Sequence, residues 1–459
     1  MLFSGIPFLF YFLPAVLSLY FLVPRKGRNA VLLLSSLLFY AWGEPKYVVL
    51  MVVSILLFYG YGLAVERSHR PKLWLAVSVC TGAGLLGLFK YADFAVENFN
   101  ALTGLSVPLL RLALPIGISF YTFQCISYVV DVYRGDTKAQ KNLIHFGAYV
   151  AMFPQLIAGP IVRYVDVEGD LADRKTTGED FAEGLFLFLI GLGKKVLIAN
   201  NLGQLTELFR SSTEKSVLFC WLYAIAFALH IYFDFSGYSD MAVGLGRIFG
   251  FRFPRNFQYP YISGSITEFW RRWHMTLGGW FRDYVYIPLG GNRVSRGRWV
   301  FNILVVWMLT GLWHGAAWNF VLWGLLFAAL LLLEKWVPAI RKLPAVLRHG
   351  YVLLAVVLSF VIFNAADLRQ AFGDLGGMFG LAGLPAVTAE SVYYLKSYLP
   401  LLILAAVGAT PLVRNLALRL QTRIPWTAAL RFAAALLLLL VCTAYLVDGS
   451  FNPFLYFRF

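Results

Sequence analysis

The segment GLWHGAAWNFVLWG, residues 311–324, lies inside an apolar run that extends from Val300 to Glu334. Basic residues are concentrated on both sides of this run, at 282–298 and 335–348. Loops rich in Lys and Arg stay in the cytoplasm, so the run must cross a membrane and return. The small and polar residues of HGAAWN mark the position where we predict the reversal. The stretch therefore predicts two antiparallel membrane helices joined by a tight turn.

The composition of the whole chain indicates the same class. The 459 residues are 59% hydrophobic and 14% charged, with a mean hydropathy of +0.69. Soluble proteins carry about 25% charged residues, and only helices or closed barrels satisfy their backbone groups in lipid. The alternating pattern of a barrel is absent. We predict an all-α, polytopic helical membrane protein that forms one domain over residues 1–459. Apolar stretches suited to crossing a bilayer include residues 46–65, 183–200, 217–233, 317–333, 351–364 and 430–447.

The charge distribution predicts topology. The net charge of +15 comes from basic loops, which orient membrane helices, so we predict membrane lipids and no nucleic acid as partners. We expect about ten to twelve crossings, together with re-entrant and interfacial helices, and both termini outside. The poorly charged connection at 366–397 is expected to be an outward-facing loop, followed by a helix at about 398–413. Between residues 100 and 165 the apolar segments are interrupted by Gln124, Asp131 and Gln155. Such interruptions are tolerated where they pack in protein or line a cavity. The four cysteines lack metal-ligand spacing, and no metal site is predicted.

His314 is the first candidate functional residue. A helix that starts near Val300 reaches His314 after about 21 Å, in a hydrocarbon core about 30 Å thick. We therefore predict that His314 lies deep in the membrane, beside the small residues of the turn and near Asn319. An intramembrane ionisable group is a functional candidate by default. The alternative is a structural histidine that bonds a neighbouring helix.

A second histidine lies in SITEFWRRWHMTLGGWFRDYVYIPLGGNR, residues 265–293. Trp270, Trp273, Leu277 and Trp280 recur at helical spacing, which predicts one interfacial helix with its tryptophans at headgroup depth. His274 lies beside this apolar stripe; a packed rim histidine is the alternative. A neutral imidazole can take a proton from a hydroxyl that attacks an acyl carbon, and two histidines suit a passage for such chemistry.

These motifs resemble those of the membrane-bound O-acyltransferase (MBOAT) family, in its bacterial branch of alginate O-acetyltransferase membrane subunits. The resemblance lies first in WRRWHMTLGGWFRDYVYIPLGGNR and GLWHGAAWN. It extends to LPIGISFYTFQCISYVVDVYRG, MFPQLIAGPIVR, HIYFDFSGYSDMAVGLGRIFGF and the terminal NPFLYFRF, and so spans nearly the whole chain in order. Residues 340–440 carry no motif of this kind.

The resemblance implies an MBOAT-type fold in a bacterial inner membrane and a reaction. Acetyl-CoA would donate an acetyl group from the cytoplasmic side, with no covalently bound cofactor. The acceptor would be reached from outside, through an extracytoplasmic acetyltransferase of the SGNH-hydrolase type that modifies a surface polysaccharide. His314 would be the catalytic base and His274 the second histidine of the passage.

Further residues are candidates for lining the passage or binding the donor, and some of them also have a structural interpretation. The motif DFSGYSD supplies Asp234, Ser236, Tyr238 and Asp240, and pairing of Asp234 with Arg247 or Arg252 is an equal interpretation. The candidates for binding the phosphates of CoA are Arg282, Arg293 and Arg296. The alternative is that these arginines only orient the chain in the membrane. Other candidates for lining the passage are Trp313, Asn319 and Gln155.

Tyr456 is a candidate acyl relay if the tail is outside and folds back toward the passage. The alternative is that the tail's aromatic residues only anchor it at the interface. Two other functions also fit. One is D-alanyl transfer to teichoic acid within the same family, and the other is a proton-coupled transporter or flippase, for which broken helices with polar groups are typical.

Overall fold

The computed structural model describes residues 2–157, 159–421, 427–449 and 451–452. Every regular element in these ranges is helical, which confirms the predicted all-α class. By length and composition, seven helices in the described residues can cross a membrane, and Phe8–Leu22 is a shorter apolar helix. The number of crossings stays a prediction. The seven are Val48–Arg67, Pro71–Thr103, Val217–Ile248, Trp318–Trp336, Ala345–Asn364, Ala389–Gly408 and Ala429–Asp448.

The chain forms two compact units, each built from two stretches of sequence. Unit 1 comprises residues 1–188 and 238–255, and unit 2 comprises residues 189–237 and 256–459. The single domain predicted from the sequence stays a prediction.

In the described part of the chain, ten α-helices begin in unit 1, and the last residues of the tenth belong to unit 2. They are α1 Leu13–Leu22, α2 Arg28–Gly43, α3 Val48–Arg67, α4 Pro71–Leu86, α5 Ala92–Thr103, α6 Ile118–Arg134, α7 Leu143–Ala151, α8 Phe153–Leu156, α9 Tyr164–Ala172 and α10 Gly178–Gly193. Shorter π and 3-10 segments are Phe8–Phe12, Arg25–Gly27 and Gly87–Tyr91.

The polar interruptions predicted between residues 100 and 165 lie inside the protein. Gln124, Asp131 and Gln155 are at most 2% exposed. The Nε2 of Gln155 donates to the carbonyl oxygen of Tyr149 at 2.5 Å. A buried amide needs such a partner because an unpaired polar group costs free energy in an apolar interior. The expectation that these residues pack in protein or line a cavity agrees with their burial.

Unit 2 holds the remaining α-helices of the described chain; the end of α12 belongs to unit 1. They are α11 Asn200–Ser211, α12 Val217–Ile248, α13 Ile266–Arg272, α14 Met275–Phe281, α15 Arg296–His314, α16 Trp318–Trp336, α17 Ala339–Lys342, α18 Ala345–Asn364, α19 Leu368–Met378, α20 Ala389–Gly408, α21 Leu412–Gln421 and α22 Thr427–Asp448. Shorter π and 3-10 segments are Lys194–Ala199, Pro260–Ile262 and Arg282–Tyr286.

The connection at residues 366–397 contains more helix than its sequence predicts. The sequence predicts an outward-facing loop there, followed by a helix at about 398–413. The structure instead begins α19 at Leu368, where the side chain of Asp367 accepts from Gln370 N at 2.7 Å. It begins α20 at Ala389, after Thr388 caps the first turn. Side-chain caps satisfy the free amide groups of a first turn, and these two caps set the helix starts.

Close backbone packing joins α15 to α16. A Cβ atom added at Gly311 would lie 2.3 Å from the carbonyl oxygen of Phe320, and one added at Gly324 would lie 2.2 Å from that of Trp307. Neither position has room for a side chain. Small residues let membrane helices approach closely enough for backbone contact. The two helices therefore form a tight hairpin, which positions its turn firmly within unit 2.

Candidate active site

The turn of this hairpin carries His314. Helix α15 ends at His314, Gly315 and Ala317 are extended, and α16 begins at Trp318. This confirms the predicted reversal within HGAAWN. His314 is 7% exposed, so the end of the helix delivers an imidazole into the protein interior.

Aromatic rings surround the imidazole of His314. The ring centroids of Trp323 and Phe363 are each 5.1 Å away, and that of the adjacent Trp313 is 5.0 Å away. All three rings meet the imidazole edge to face. Aromatic rings exclude bulk water, and a group in a low-dielectric site feels nearby charges and dipoles more strongly than in water. The surroundings therefore suit chemistry that must be shielded from hydrolysis.

Asn319, predicted to line the passage, fastens the hairpin to the end of α18. Its Nδ2 donates to the carbonyl oxygen of Ala365 at 2.9 Å and to that of Ile362 at 3.4 Å. The last carbonyl groups of a helix have no intrahelical partner, and the amide of Asn319 supplies one. This bond also holds the segment that carries Phe363 against His314.

The single interfacial helix predicted at 265–293 is wrong. The chain forms α13 and α14, which are separated at Trp273 and His274, and His274 has a left-handed backbone with φ of +43°. A non-glycine residue in the left-handed backbone conformation costs about 1–3 kcal/mol of free energy, so contacts with neighbouring residues must hold His274 in it. Trp273, Leu277 and Trp280 are buried, and Trp273 packs on Phe269 in the core of unit 2. They are therefore core residues.

The segment that starts at Asn256 holds this break open. The amide of Met275 donates to the backbone oxygen of Asn256 at 2.9 Å, and the amide of Gln258 donates to the oxygen of Arg272 at 2.9 Å. These bonds satisfy backbone groups that a continuous helix would have paired internally. The sequence pattern contained no sign of them.

His274 is buried, at 2% exposure, and its Nδ1 lies 3.0 Å from Oδ1 of Asn256. Phe235 packs edge-on against the imidazole, with ring centroids 4.6 Å apart. Burial lowers the pKa of His274 from 6.5 to about 3, because a charged imidazole loses its hydration there. The ring is therefore neutral at physiological pH, the form that a proton acceptor needs.

One indole connects the two histidines within unit 2. The ring centroid of Trp313 is 5.8 Å from that of His274 and 5.0 Å from that of His314. Trp313 itself is 3% exposed. The structure therefore brings three of the predicted residues, which lie on α15 and at the start of α14, into one buried cluster.

Asp234 pairs with a residue that the sequence interpretation did not consider. Its Oδ1 lies 2.5 Å from Nζ of Lys195, and both side chains are 2% exposed. The alternative partners, Arg247 and Arg252, lie near Asp180 instead, at 3.2 Å and 3.9 Å. The alternative interpretation, in which Asp234 pairs with Arg247 or Arg252, is therefore wrong. The fold places Lys195, on a π-helical segment, opposite Asp234 on α12.

The remaining candidates lie elsewhere. Ser236 is buried in unit 2. In unit 1, Tyr238 stacks on Phe3 with ring centroids 4.6 Å apart, Asp240 is half-buried and Gln155 is buried. The predicted CoA-phosphate residues, all exposed, are Arg282, Arg293 and Arg296. The Nε of Arg282 lies 2.7 Å from Oδ1 of Asp283. Tyr456 lies outside the described residues.

Sequence reasoning missed Asn256 and Lys195. Lys195 carries a detectable signal, because GLGKKVLIAN places two lysines in an otherwise apolar stretch and an ionisable residue there needs a partner. Asn256 lies in a polar loop, PRNFQYPY, and carries no such signal. Its importance follows from its contacts alone.

A buried histidine at a helix break and a second histidine at a hairpin turn thus lie together in a helical architecture with membrane-length apolar helices. Residues 138–366 match the MBOAT, membrane-bound O-acyltransferase family, and the chain belongs to this family. It is a multi-pass membrane enzyme with O-acyltransferase activity, and an acyl donor is its substrate.

Curated relatives match along the whole chain. The chain is 39% identical to the probable alginate O-acetylase AlgI of Azotobacter vinelandii, and the match covers 100% of both chains. It is 40% identical to the protein of the same name in Pseudomonas putida, again over 100% of both. It is also 33% identical to the peptidoglycan O-acetyltransferase of Helicobacter pylori, over 100% of this chain and 98% of that protein.

Proposed function

We propose that this protein moves an acetyl group from cytoplasmic acetyl-CoA toward hydroxyl groups of a cell-surface polysaccharide. The supporting observation is the buried cluster of His314, Trp313 and His274. In addition, the relatives that match the whole chain are named for O-acetylation of alginate and of peptidoglycan. The protein would lie in a bacterial inner membrane with both termini outside. Residues that would receive the CoA phosphates on the cytoplasmic side are Arg282, Arg293 and Arg296.

His314 acts as the base in this proposal. Its imidazole takes the proton of an acceptor hydroxyl while the hydroxyl oxygen bonds to the carbonyl carbon of the thioester. The carbon–sulfur bond breaks, and the thiolate of CoA takes the proton back from the imidazolium and leaves as the thiol. The aromatic surroundings of His314 exclude water, which would otherwise hydrolyse the thioester.

An extracytoplasmic partner completes the proposal. An acetyltransferase of the SGNH-hydrolase type would receive the acetyl group outside and pass it to the polysaccharide. Tyr456 is the candidate relay for this transfer, because its phenol could carry the acetyl group as an ester between the deep site and the partner. A fully active Tyr456→Phe protein would exclude the relay and leave the rest of the proposal intact.

The test is polysaccharide O-acetylation in cells that carry His314→Ala, with the amount of the variant in the membrane measured alongside. We expect acetylation to fall about 100-fold or more, the typical contribution of general base catalysis. His69→Ala, in an exposed loop, is the matched control and should retain activity. His230→Gln is a second control, since His230 is also a buried histidine and packs against Phe227.

Binding of the donor separates the competing functions. Purified wild-type protein should release CoA thiol from acetyl-CoA when an acceptor is present, and should bind CoA when it is absent. Retained acetylation in His314→Ala cells would make His314 structural. Failure to bind CoA would favour a transporter, and transfer of D-alanine in place of acetyl would place the protein in the teichoic-acid branch.

A further inference from the structure

Asn256 makes an unusual set of contacts around the break between α13 and α14. Its Oδ1 accepts from the backbone amide of Thr276 at 3.3 Å and from Oγ1 of the same residue at 2.9 Å, and it lies 3.0 Å from Nδ1 of His274. Its backbone oxygen accepts from Met275. Asn256 is 2% exposed, so these contacts are made away from solvent.

The chemical identity of the contact atom follows from these partners. The amide of Thr276 can only donate, so the atom of Asn256 that faces it must be the oxygen and not the NH₂ group. An oxygen acceptor opposite Nδ1 of His274 requires that Nδ1 carry the proton. In a neutral imidazole the other nitrogen, Nε2, then holds the lone pair.

Helix capping explains why an asparagine is needed here. His274 is the N-cap residue of α14, and its side chain accepts no hydrogen bond from the first turn. Asparagine is among the best N-cap residues because its side-chain oxygen accepts from the first turn. Asn256 supplies that oxygen from a separate segment, 18 residues earlier. The same atom thus caps α14 and orients the imidazole.

We propose that Asn256 is a positioning residue that holds His274 as the Nδ1–H tautomer, so that Nε2 is the atom that accepts a proton or hydrogen bond from a substrate. The role in turnover rests on the proposed function, whereas the tautomer does not. A second nitrogen bonded to a fixed acceptor is also how proteins orient histidines that act as bases. The left-handed backbone of His274 is held by the same residue, which couples the ring orientation to the helix break.

The experiment is NMR of the full-length protein labelled with ¹⁵N in its histidine rings. The chain has six histidines, and the signals absent from a His274→Gln sample assign those of His274. In the wild type we expect a protonated Nδ1 and an unprotonated Nε2. In Asn256→Ala we expect the proton to move to Nε2 or to exchange between the two nitrogens. Asn256→Asp keeps an acceptor oxygen, so its Nδ1 should remain protonated.

Kinetics supply the second readout. For Asn256→Ala we expect kcat to fall about 100-fold while KM for acetyl-CoA changes less than about threefold. Thr276→Val is the matched control, because it removes a different donor from the same oxygen and should leave the ring signals of His274 unchanged. Gel filtration and the melting temperature show whether each variant is folded.

Two outcomes would overturn the positioning role. One is a wild-type spectrum with the proton on Nε2, and the other is a folded Asn256→Ala protein with unchanged ring signals and unchanged kcat. Failure of the proposed function looks different, because the wild-type and Asn256→Ala spectra would be as expected while the wild type transfers no acetyl group.

Discussion

Replacement of Lys195 with methionine tests the buried ion pair of unit 2. The ammonium and the carboxylate of Asp234 are 2.5 Å apart, and both side chains are 2% exposed. Desolvation of two charges is costly, and the pair is stable only because each charge compensates the other. Removal of Lys195 leaves the carboxylate in the interior without the cation that it contacts. We expect a loss of about 3–5 kcal/mol in the free energy of unfolding.

The double variant Lys195→Met/Asp234→Leu separates this mechanism from a simple packing defect. A buried pair replaced by apolar side chains of similar volume is often neutral or stabilising, so the double variant should lie within about 1 kcal/mol of the wild type. The assay is unfolding of the purified protein by a denaturing detergent, analysed as a double-mutant cycle.

A matched control comes from unit 1. Arg247 lies 3.2 Å from Asp180 but is 38% exposed, and exposed pairs contribute about 0–1 kcal/mol. Arg247→Met should therefore change stability by less than about 1 kcal/mol. Additive losses in the Lys195 and Asp234 variants, or a single-variant loss no larger than that of Arg247→Met, would refute the reasoning.

Two further predictions concern stability. Gly311→Ala places a Cβ 2.3 Å from the carbonyl oxygen of Phe320 and should lower the free energy of unfolding by about 1–3 kcal/mol,. The control is Gly297→Ala on the same helix, whose Cβ meets nothing within 4 Å and should not destabilise the protein. The measurement is the melting temperature of the two variants, and equal values would contradict the close packing of the hairpin. Burial lowers the pKa of His274 to about 3, below the 6.5 of an unfolded chain, so only the unfolded state takes up a proton between these values. The contribution of the neutral ring to the free energy of unfolding is fully present above pH 6.5. As the pH falls from 6.5 toward 3, this contribution decreases by up to about 1.4 kcal/mol per pH unit. Between about pH 7 and pH 5, the melting temperature of His274→Gln should therefore fall less than that of the wild type. An equal fall in both proteins would contradict a contribution of His274 to the pH dependence of stability.

The sequence alone predicted the membrane class, the helical hairpin and the position of His314 at its turn. These features depend on hydropathy and charge along the chain, and lipid imposes them on each segment nearly independently of the others. The two histidine motifs also carried the family resemblance, since each is contiguous in sequence. The helix starts at Leu368 and Ala389 were missed because local caps overrode the weak hydropathy signal,.

Tertiary contacts decided what surrounds the candidate site. The break at His274 interrupts a sequence with good helical periodicity, and it exists because Asn256 supplies hydrogen bonds from 18 residues away. The partner of Asp234 is Lys195, 39 residues earlier, and no periodicity relates the two. Periodicity reports which face of one helix is apolar, but it contains no information on which segment lies against that face. Hydrogen bonds are short-range and directional, and a buried ion pair is stable only when its two charges are in close contact, so the partners in both depend on the packed structure.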